Sequence, residues 1–208
     1  MCLSSKLAKR GRKCNARSPA CYVRRVDRNR RILDAAAELF YEKGFHGTSV
    51  DELGTRAGVS GPALYRQFSG KDEILAALLD EAMDILLSAT GPVFEDPRVD
   101  LERMIRHHVG FAVENRHLVN VNQREDRSLA APFKRRFDQR RKEYVDGWES
   151  AVARFLPEAT AAEVAVATQA CLGLVFSVAY WPRSVAKFPS LEDMIAEITL
   201  AGFGIFGQ

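Results

Sequence analysis

Residues Thr48 to Lys71, TSVDELGTRAGVSGPALYRQFSGK, constrain the fold more than any other stretch of this chain. Thr48 is an N-cap residue type with Asp51 at the third helical position, close to a capping box. Val50, Leu53 and Ala57 place apolar side chains on one face of a short helix. Gly58 supplies the residue that commonly ends a helix. Ser60 is the next N-cap, and Pro62 sits where its missing N–H costs nothing. Leu64 and Phe68, four apart, share a buried face. Two short helices joined by a tight glycine-containing turn form a helix-turn-helix.

The residue types suit duplex DNA. Ser60, Gly61, Pro62 and Ala63 are small, so the second helix can enter a major groove about 12 Å wide. Backbone N–H groups at the two helix starts, near Thr48 and Ser60, can meet phosphates. Tyr65, Arg66 and Gln67 offer a hydroxyl, a guanidinium and an amide to backbone or base edges. The competing reading is a surface helical hairpin in which Tyr65 and Phe68 are core residues. Caps, turn and polar face agree with each other and favour the DNA-reading unit.

These residues also carry a resemblance. Ile32 to Leu79 resembles the N-terminal DNA-binding domain of TetR-family transcriptional regulators, through ILDAAAELFYEKGFHGTSVDELGTRAGVS, LYRQF and KDEIL, about a quarter of the chain. The resemblance implies an all-α protein, with a three-helix DNA-binding domain ahead of a helical ligand-binding and dimerisation domain. It also implies a phosphate contact for Lys71. Two departures stand out. Phe68-Ser69-Gly70-Lys71 replaces a common Phe-Pro-Ser-Lys, so Ser69 is expected to cap the fourth helix with Asp72 as partner. Gly61-Pro62-Ala63 replaces a Lys-Gly-Thr-like run, which leaves the operator sequence open.

Charge is uneven. Residues 1–31 hold eleven Lys or Arg and only Asp27, a balance of +10 within a chain whose formal net charge is +3. One-sign blocks of this kind are commonly disordered interaction tails. Residues 1–26 are therefore expected to be a basic, disordered arm, 27–71 the helix-turn-helix domain and 72–208 the effector-binding and dimerisation domain. The arm lacks the apolar segment of a secretory signal. It can act as a DNA-contacting arm, as a neutral tail, or lie upstream of a start at Val23 or Val26. Cys2, Cys14, Cys21 and Cys171 show no metal-ligand spacing, in keeping with a reduced, cytoplasmic protein. No apolar run is expected to reach the ~20 residues that span a bilayer, so no membrane partner is expected.

Asp27 is placed to cap a helix to about Lys43, with an apolar stripe at Ile32, Leu33, Ala36, Leu39 and Phe40 and with Phe45 plugging the small domain. A helix from Lys71 or Asp72 to about Thr90 is long enough to bridge the two domains. Prolines punctuate the remainder into helices at 98–118, 120–130, 132–155, 160–181 and 190–206. The last two are strongly apolar. The resemblance implies that they form a two-fold dimer interface, through Val166, Gln169, Ala170 and Gly173 on one helix and Ile195, Ile198, Gly202 and Phe206 on the other. Periodicity alone also allows both to be intrachain core.

Phe111, Trp148, Phe176, Tyr180 and Trp181 are candidate pocket walls. Asn115, Asn120, Asn122, Gln123 and Arg124 are candidate polar groups on apolar faces. The stretch ENRHLVNVNQRE resembles one in actinobacterial members of the family, some linked to lipid or acyl-CoA metabolism, which implies a small apolar or acyl-type effector. The basic run Lys134 to Lys142 suits an anionic head group or a solvated helix face. His107 and His108 point about 100° apart on a helix, so no metal site is expected, and no cofactor. Motifs of catalysis are lacking, so an enzyme is not expected. Together these features predict a ligand-responsive homodimeric regulator, a repressor on a palindromic operator. The alternative is an architectural DNA binder that uses the basic arm.

Overall fold

The computed structural model describes residues 19–92 and 94–205, and for 19–27 the backbone alone. Every regular element in them is helical: α1 (Pro19–Lys43), α2 (Val50–Ala57), α3 (Gly61–Tyr65), α4 (Lys71–Ser88), α5 (Pro97–Glu114), α6 (Arg116–Glu125), α7 (Ala131–Phe155), α8 (Ala161–Ser177), α9 (Arg183–Ala186) and α10 (Leu191–Phe203), with single 3₁₀ turns after α6 and α8. The expected all-α class holds. The prolines fall at breaks or in first turns, where their lost N–H has no helical partner.

α1 begins earlier than the charge pattern suggests. Its backbone runs from Pro19, so Asp27 lies inside the helix and is not its cap. Residues 19–26 are accordingly helix rather than disordered arm, and the arm expected at 1–18 lies outside the described residues. The α1 stripe is buried at Ile32, Ala36, Leu39 and Phe40, and Phe45 plugs the small core with Leu53, Leu64 and Phe68. α2 is clamped across α1 by Arg56, which pairs with Glu38 at 3.0 Å and Glu42 at 3.1 Å.

The α2 cap is one residue later than expected. Ser49, not Thr48, is the N-cap; Ser49 Oγ accepts the Glu52 N–H at 3.2 Å and Glu52 returns a carboxylate to the Ser49 N–H at 3.0 Å. Glu52 is long enough to fold back across one turn, which Asp51 is not. Gly58 takes the left-handed conformation at φ 64° and closes α2. The α4 start also differs: Gly70 is the N-cap, and Glu73, rather than Asp72, meets the Ser69 N–H, at 2.6 Å.

α4 leaves the small domain and enters the body with Leu78, Leu79, Met83 and Leu86 buried. It is tied to α7 by Arg140, which donates to both the Asp80 carbonyl and carboxylate at 3.1 Å and also pairs with Asp84. Part of the basic run is thus an inter-helix tie and not a solvated face. α5, α7, α8 and α10 enclose a core around Trp148, Leu101, Ile105, Ala167 and Ile195. Thr160 and Glu163 cap α8 reciprocally. Contrary to expectation, one stretch, Ala161–Tyr180, is long and apolar enough by length and composition to cross a membrane, with mean hydropathy 1.7; its inner face packs on the core.

Candidate nucleic-acid interface and ligand cavity

α3 is little more than one turn, started by Ser60 in an extended conformation and by Pro62 in its first turn. Leu64 and Ala63 anchor it to the small core. That anchoring sorts the expected DNA contacts. Ser60, Pro62 and Arg66 are exposed, Tyr65 is 57% exposed, and Gly61 and Gln67 are half-buried on the same end. A Cβ added at Gly61 would meet nothing within 4 Å, so this surface is open to a partner. Ala63 points inward and offers a duplex no side-chain surface.

Thr48 and Lys71 serve the fold instead. The Thr48 side chain is buried, and its hydroxyl donates to the Gly44 carbonyl at 2.9 Å. Lys71 Nζ donates to the Phe45 carbonyl at 3.0 Å and the Thr48 carbonyl at 3.1 Å, and lies 4.6 Å from the centre of the Phe45 ring. Two of its three N–H groups are therefore committed inside the domain.

The body holds a cavity of about 510 Å³ between α4, α6, α7 and α8, walled by Met83, Leu86, Asn122, Phe137, Tyr144 and Phe176. A smaller space of about 50 Å³ adjoins it and shares Met83, Leu86, Asn122, Gln123 and Phe176, adding Phe111. The larger volume is within the usual range for small-molecule sites. Asn122 Oδ1 is buried without a hydrogen-bond partner, an acceptor that a ligand could satisfy. Arg127, Arg141 and Asp126 line the same wall, with Arg141 paired to Asp126 at 3.4 Å.

Of the expected pocket residues, Phe111, Asn122 and Phe176 thus meet at the cavities. The others are placed elsewhere. Trp148 is fully buried behind them, and Arg124 is exposed and lines neither space. Asn115 caps α5 by donating to the Phe111 carbonyl at 3.1 Å, Tyr180 donates to Gln123 at 2.6 Å, and the Trp181 carbonyl accepts from Arg116 at 2.5 Å. Asn115 instead borders a cleft of about 620 Å³ between α1, α4 and α9, whose walls mix acidic and basic side chains. The cavity residues that periodicity missed, Met83, Leu86, Phe137 and Tyr144, sit on apolar helix faces indistinguishable from core.

Behind the cavity lies an aromatic nest. His108 stands 4.9 Å from Trp148 and 5.6 Å from Tyr144, ring centre to ring centre. Burial pushes the His108 imidazole down to about 3, against the raising effect of its contact with the Met104 carbonyl at 2.6 Å. The neutral ring therefore carries its proton on Nδ1 and leaves Nε2 as an acceptor without a partner. Burial likewise raises the Tyr144 phenol, and pushes the Cys171 thiol up to about 12, so the latter is inert at neutral pH. Among the described residues, no cluster of His, Cys, Asp or Glu could hold a metal ion. His117 stacks on Tyr41 with ring centres 4.5 Å apart.

α8 and α10 each have an apolar outer face. Val166 is 61% exposed and Ile198 51%, with Gln169, Ala170, Gly173 and Gly202 exposed on the same helices. Ile195 departs from the expected pairing set: it is 2% exposed and packs inward with Leu191, Thr199 and Phe203. α10 is apolar on two faces, and the residues four apart from Leu191 take the inner one. Phe206 lies outside the described residues. Gln169 and Gly173 also line the larger cavity, which thus reaches the α8 face.

A one-turn exposed helix, a long connecting helix and a helical body with a cavity make up a helix-turn-helix protein. Residues 32–78 match the bacterial regulatory proteins of the tetR family, and residues 95–185 match the tetracyclin repressor-like C-terminal domain. The chain belongs to the TetR family. It is similar to the transcriptional activator FasR of Mycolicibacterium smegmatis, 44% identical over 64 residues, which are 31% of this chain and 29% of FasR. The chain thus matches less than a third of that relative's own length. The solved structure of the regulator PfmR from Thermus thermophilus is 26% identical at a TM-score of 0.70, covering 85% of this chain and 98% of that one. That of AibR in complex with isovaleryl coenzyme A and operator DNA is 24% identical at a TM-score of 0.70, covering 84% and 97%.

Proposed function

We propose that the protein is a cytoplasmic, homodimeric transcriptional regulator that represses from a palindromic operator and is released by a small apolar or acyl-type effector. The carrying observation is the pairing, in one chain, of the exposed Ser60–Gln67 reading edge with a cavity of about 510 Å³ that has both apolar and polar walls and contains an unsatisfied Asn122. The apolar part of the wall, Met83, Leu86, Phe137 and Phe176, suits an acyl chain, and Arg127 suits an anionic head group. AibR, of similar fold, is described with an acyl thioester of coenzyme A and with operator DNA. The exposed apolar faces of α8 and α10 support pairing through a two-fold contact, which sets two reading helices in successive major grooves. An effector that prefers the conformer with the wrong reader spacing lowers operator affinity by that preference.

The strongly basic segment 1–31 favours a second reading, an architectural binder whose arm holds any duplex. Salt-controlled binding of the full chain, and of a chain with Lys6, Lys9, Arg10, Arg12, Lys13 and Arg17 all changed to Gln, separates the two. The regulator reading expects both chains to prefer the gene's own upstream region over random duplex, typically by 10³ or more for a specific site. Equal binding of both duplexes by the full chain, lost on neutralising the arm, overturns it.

A further inference from the structure

Glu125, the last residue of α6, is buried despite its charge. Its Oε1 accepts the Phe45 N–H at 3.1 Å, 80 positions away in sequence, and its Oε2 accepts the Ser128 hydroxyl at 3.0 Å. A carboxylate is an acceptor at both oxygens, which matches two converging donors. The turn lies close on it: a Cβ at Gly44 would come within 3.2 Å of Oε1, and Gly44 already sits at φ 75°.

The same residue is held from its other side. The Phe45 carbonyl accepts from Lys71 at the start of α4, and Lys71 also holds the Thr48 carbonyl. Ser49, the next residue, caps α2. The turn 44–48 that carries α2 and α3 is therefore gripped between the end of α6 and the start of α4. On α6 itself, Asn122 and Gln123 line both cavity spaces, and Asp126 and Arg127, directly after Glu125, line the larger.

We infer that Glu125 is a positioning residue through which the cavity sets the pose of the reading helices. This rests on the proposed function, in which the cavity holds the effector and α2–α3 reads DNA. A ligand that displaces Asn122 and Gln123 displaces the end of α6, and the Phe45 N–H must follow its acceptor or lose it. An unpaired buried N–H is costly, so the two move together. The link acts alongside the continuous α4 helix and addresses the turn directly. Removing it should uncouple the two halves without abolishing either.

Linkage is reciprocal, so DNA binding reports on the connection without a known effector. The test is amide hydrogen exchange of the native chain, Glu125→Ala and Glu125→Gln, each free and bound to a duplex selected by the native chain from a random pool. Free Glu125→Ala should exchange the Phe45 amide at least tenfold faster. On DNA binding, the native chain should change protection in both the 44–57 and 118–125 segments. Glu125→Ala should still protect 44–57 while losing the response in 118–125, and Glu125→Gln, which keeps an acceptor for Phe45, should behave as native. A Glu125→Ala chain that passes the full response to 118–125, or keeps native exchange at Phe45, overturns the inference. Loss of protection throughout free Glu125→Ala, unrestored by Gln, marks a merely structural role and also overturns it. A native chain that selects no duplex overturns the regulator reading itself, which is a different result.

Discussion

Lys71→Met separates two roles for the residue that opens α4. Methionine keeps the length of the aliphatic stem and removes the charge and all three donors. The structure gives Lys71 two hydrogen bonds to carbonyls, at 3.0 and 3.1 Å, and a contact with the Phe45 ring. Hydrogen bonds from a charged donor contribute about 1.5–3 kcal/mol, though both here share one partly exposed ammonium, so about 2.5 kcal/mol is a fair total for the pair. The ring contact adds about 0.5 kcal/mol. A loss near 3 kcal/mol corresponds to a fall in Tm of roughly 6–12 °C for a chain of this size. The assay is thermal unfolding by circular dichroism, run beside operator binding at several salt concentrations. The expected pattern is a large drop in Tm and an unchanged salt slope for the folded variant below its transition. If Lys71 were instead a phosphate contact, Tm would hold and the slope would fall by about 0.9. That second pattern would refute the internal-tie account.

Arg66→Ala should lower operator affinity about tenfold, the scale of one lost charge-assisted contact, while sedimentation shows unchanged association; unchanged operator binding removes Arg66 from the reading set. Ile198→Glu on the outer face of α10 should leave a folded monomer, whereas Ile195→Ala on the inner face should cost about 2–4 kcal/mol in urea unfolding; a paired Ile198→Glu chain would contradict the interface. His108 binds a proton less readily folded than unfolded, since burial brings its pKa down to about 3 from 6.5. Stability therefore falls as pH drops from 6.5 towards 3, by up to about 1.4 kcal/mol per unit, and His108→Gln should flatten that slope by one proton in urea titrations. Cys171 should resist iodoacetamide at pH 8 in the native chain and react once unfolded, by mass mapping; native-state labelling would show that the nest opens.

Sequence legibility varied with how local the deciding physics was. Helix breaks at Pro97, Pro132, Pro157 and Pro182 follow from a missing N–H, and the body helices appear within a few residues of their expected bounds. The small-domain core was readable from the spacing of Ile32, Ala36, Leu39 and Phe40. The Ser49 cap was within reach, because Ser49 and Glu52 spell a capping box one residue after the one chosen. Ile195 and Ile198 were not separable, since an apolar helix with two greasy sides gives no clue as to which side meets the chain's own core. The cavity is formed where four distant helices fail to fill space, a property of no single segment. Glu125 was further from reach: composition expects a glutamate in water, and only the approach of Phe45 from the other domain explains its burial.

The brevity of α3 limits what it can tell apart. At 1.5 Å per residue its five residues extend about 7.5 Å, little more than two base-pair steps of about 3.4 Å. Two steps drawn from a four-letter alphabet distinguish only about sixteen words, far fewer than a genome contains. As a reader, such a helix cannot identify an address alone. Under the proposed pairing, the distance between two copies would supply further information, so geometry, more than vocabulary, would decide where such a pair sits.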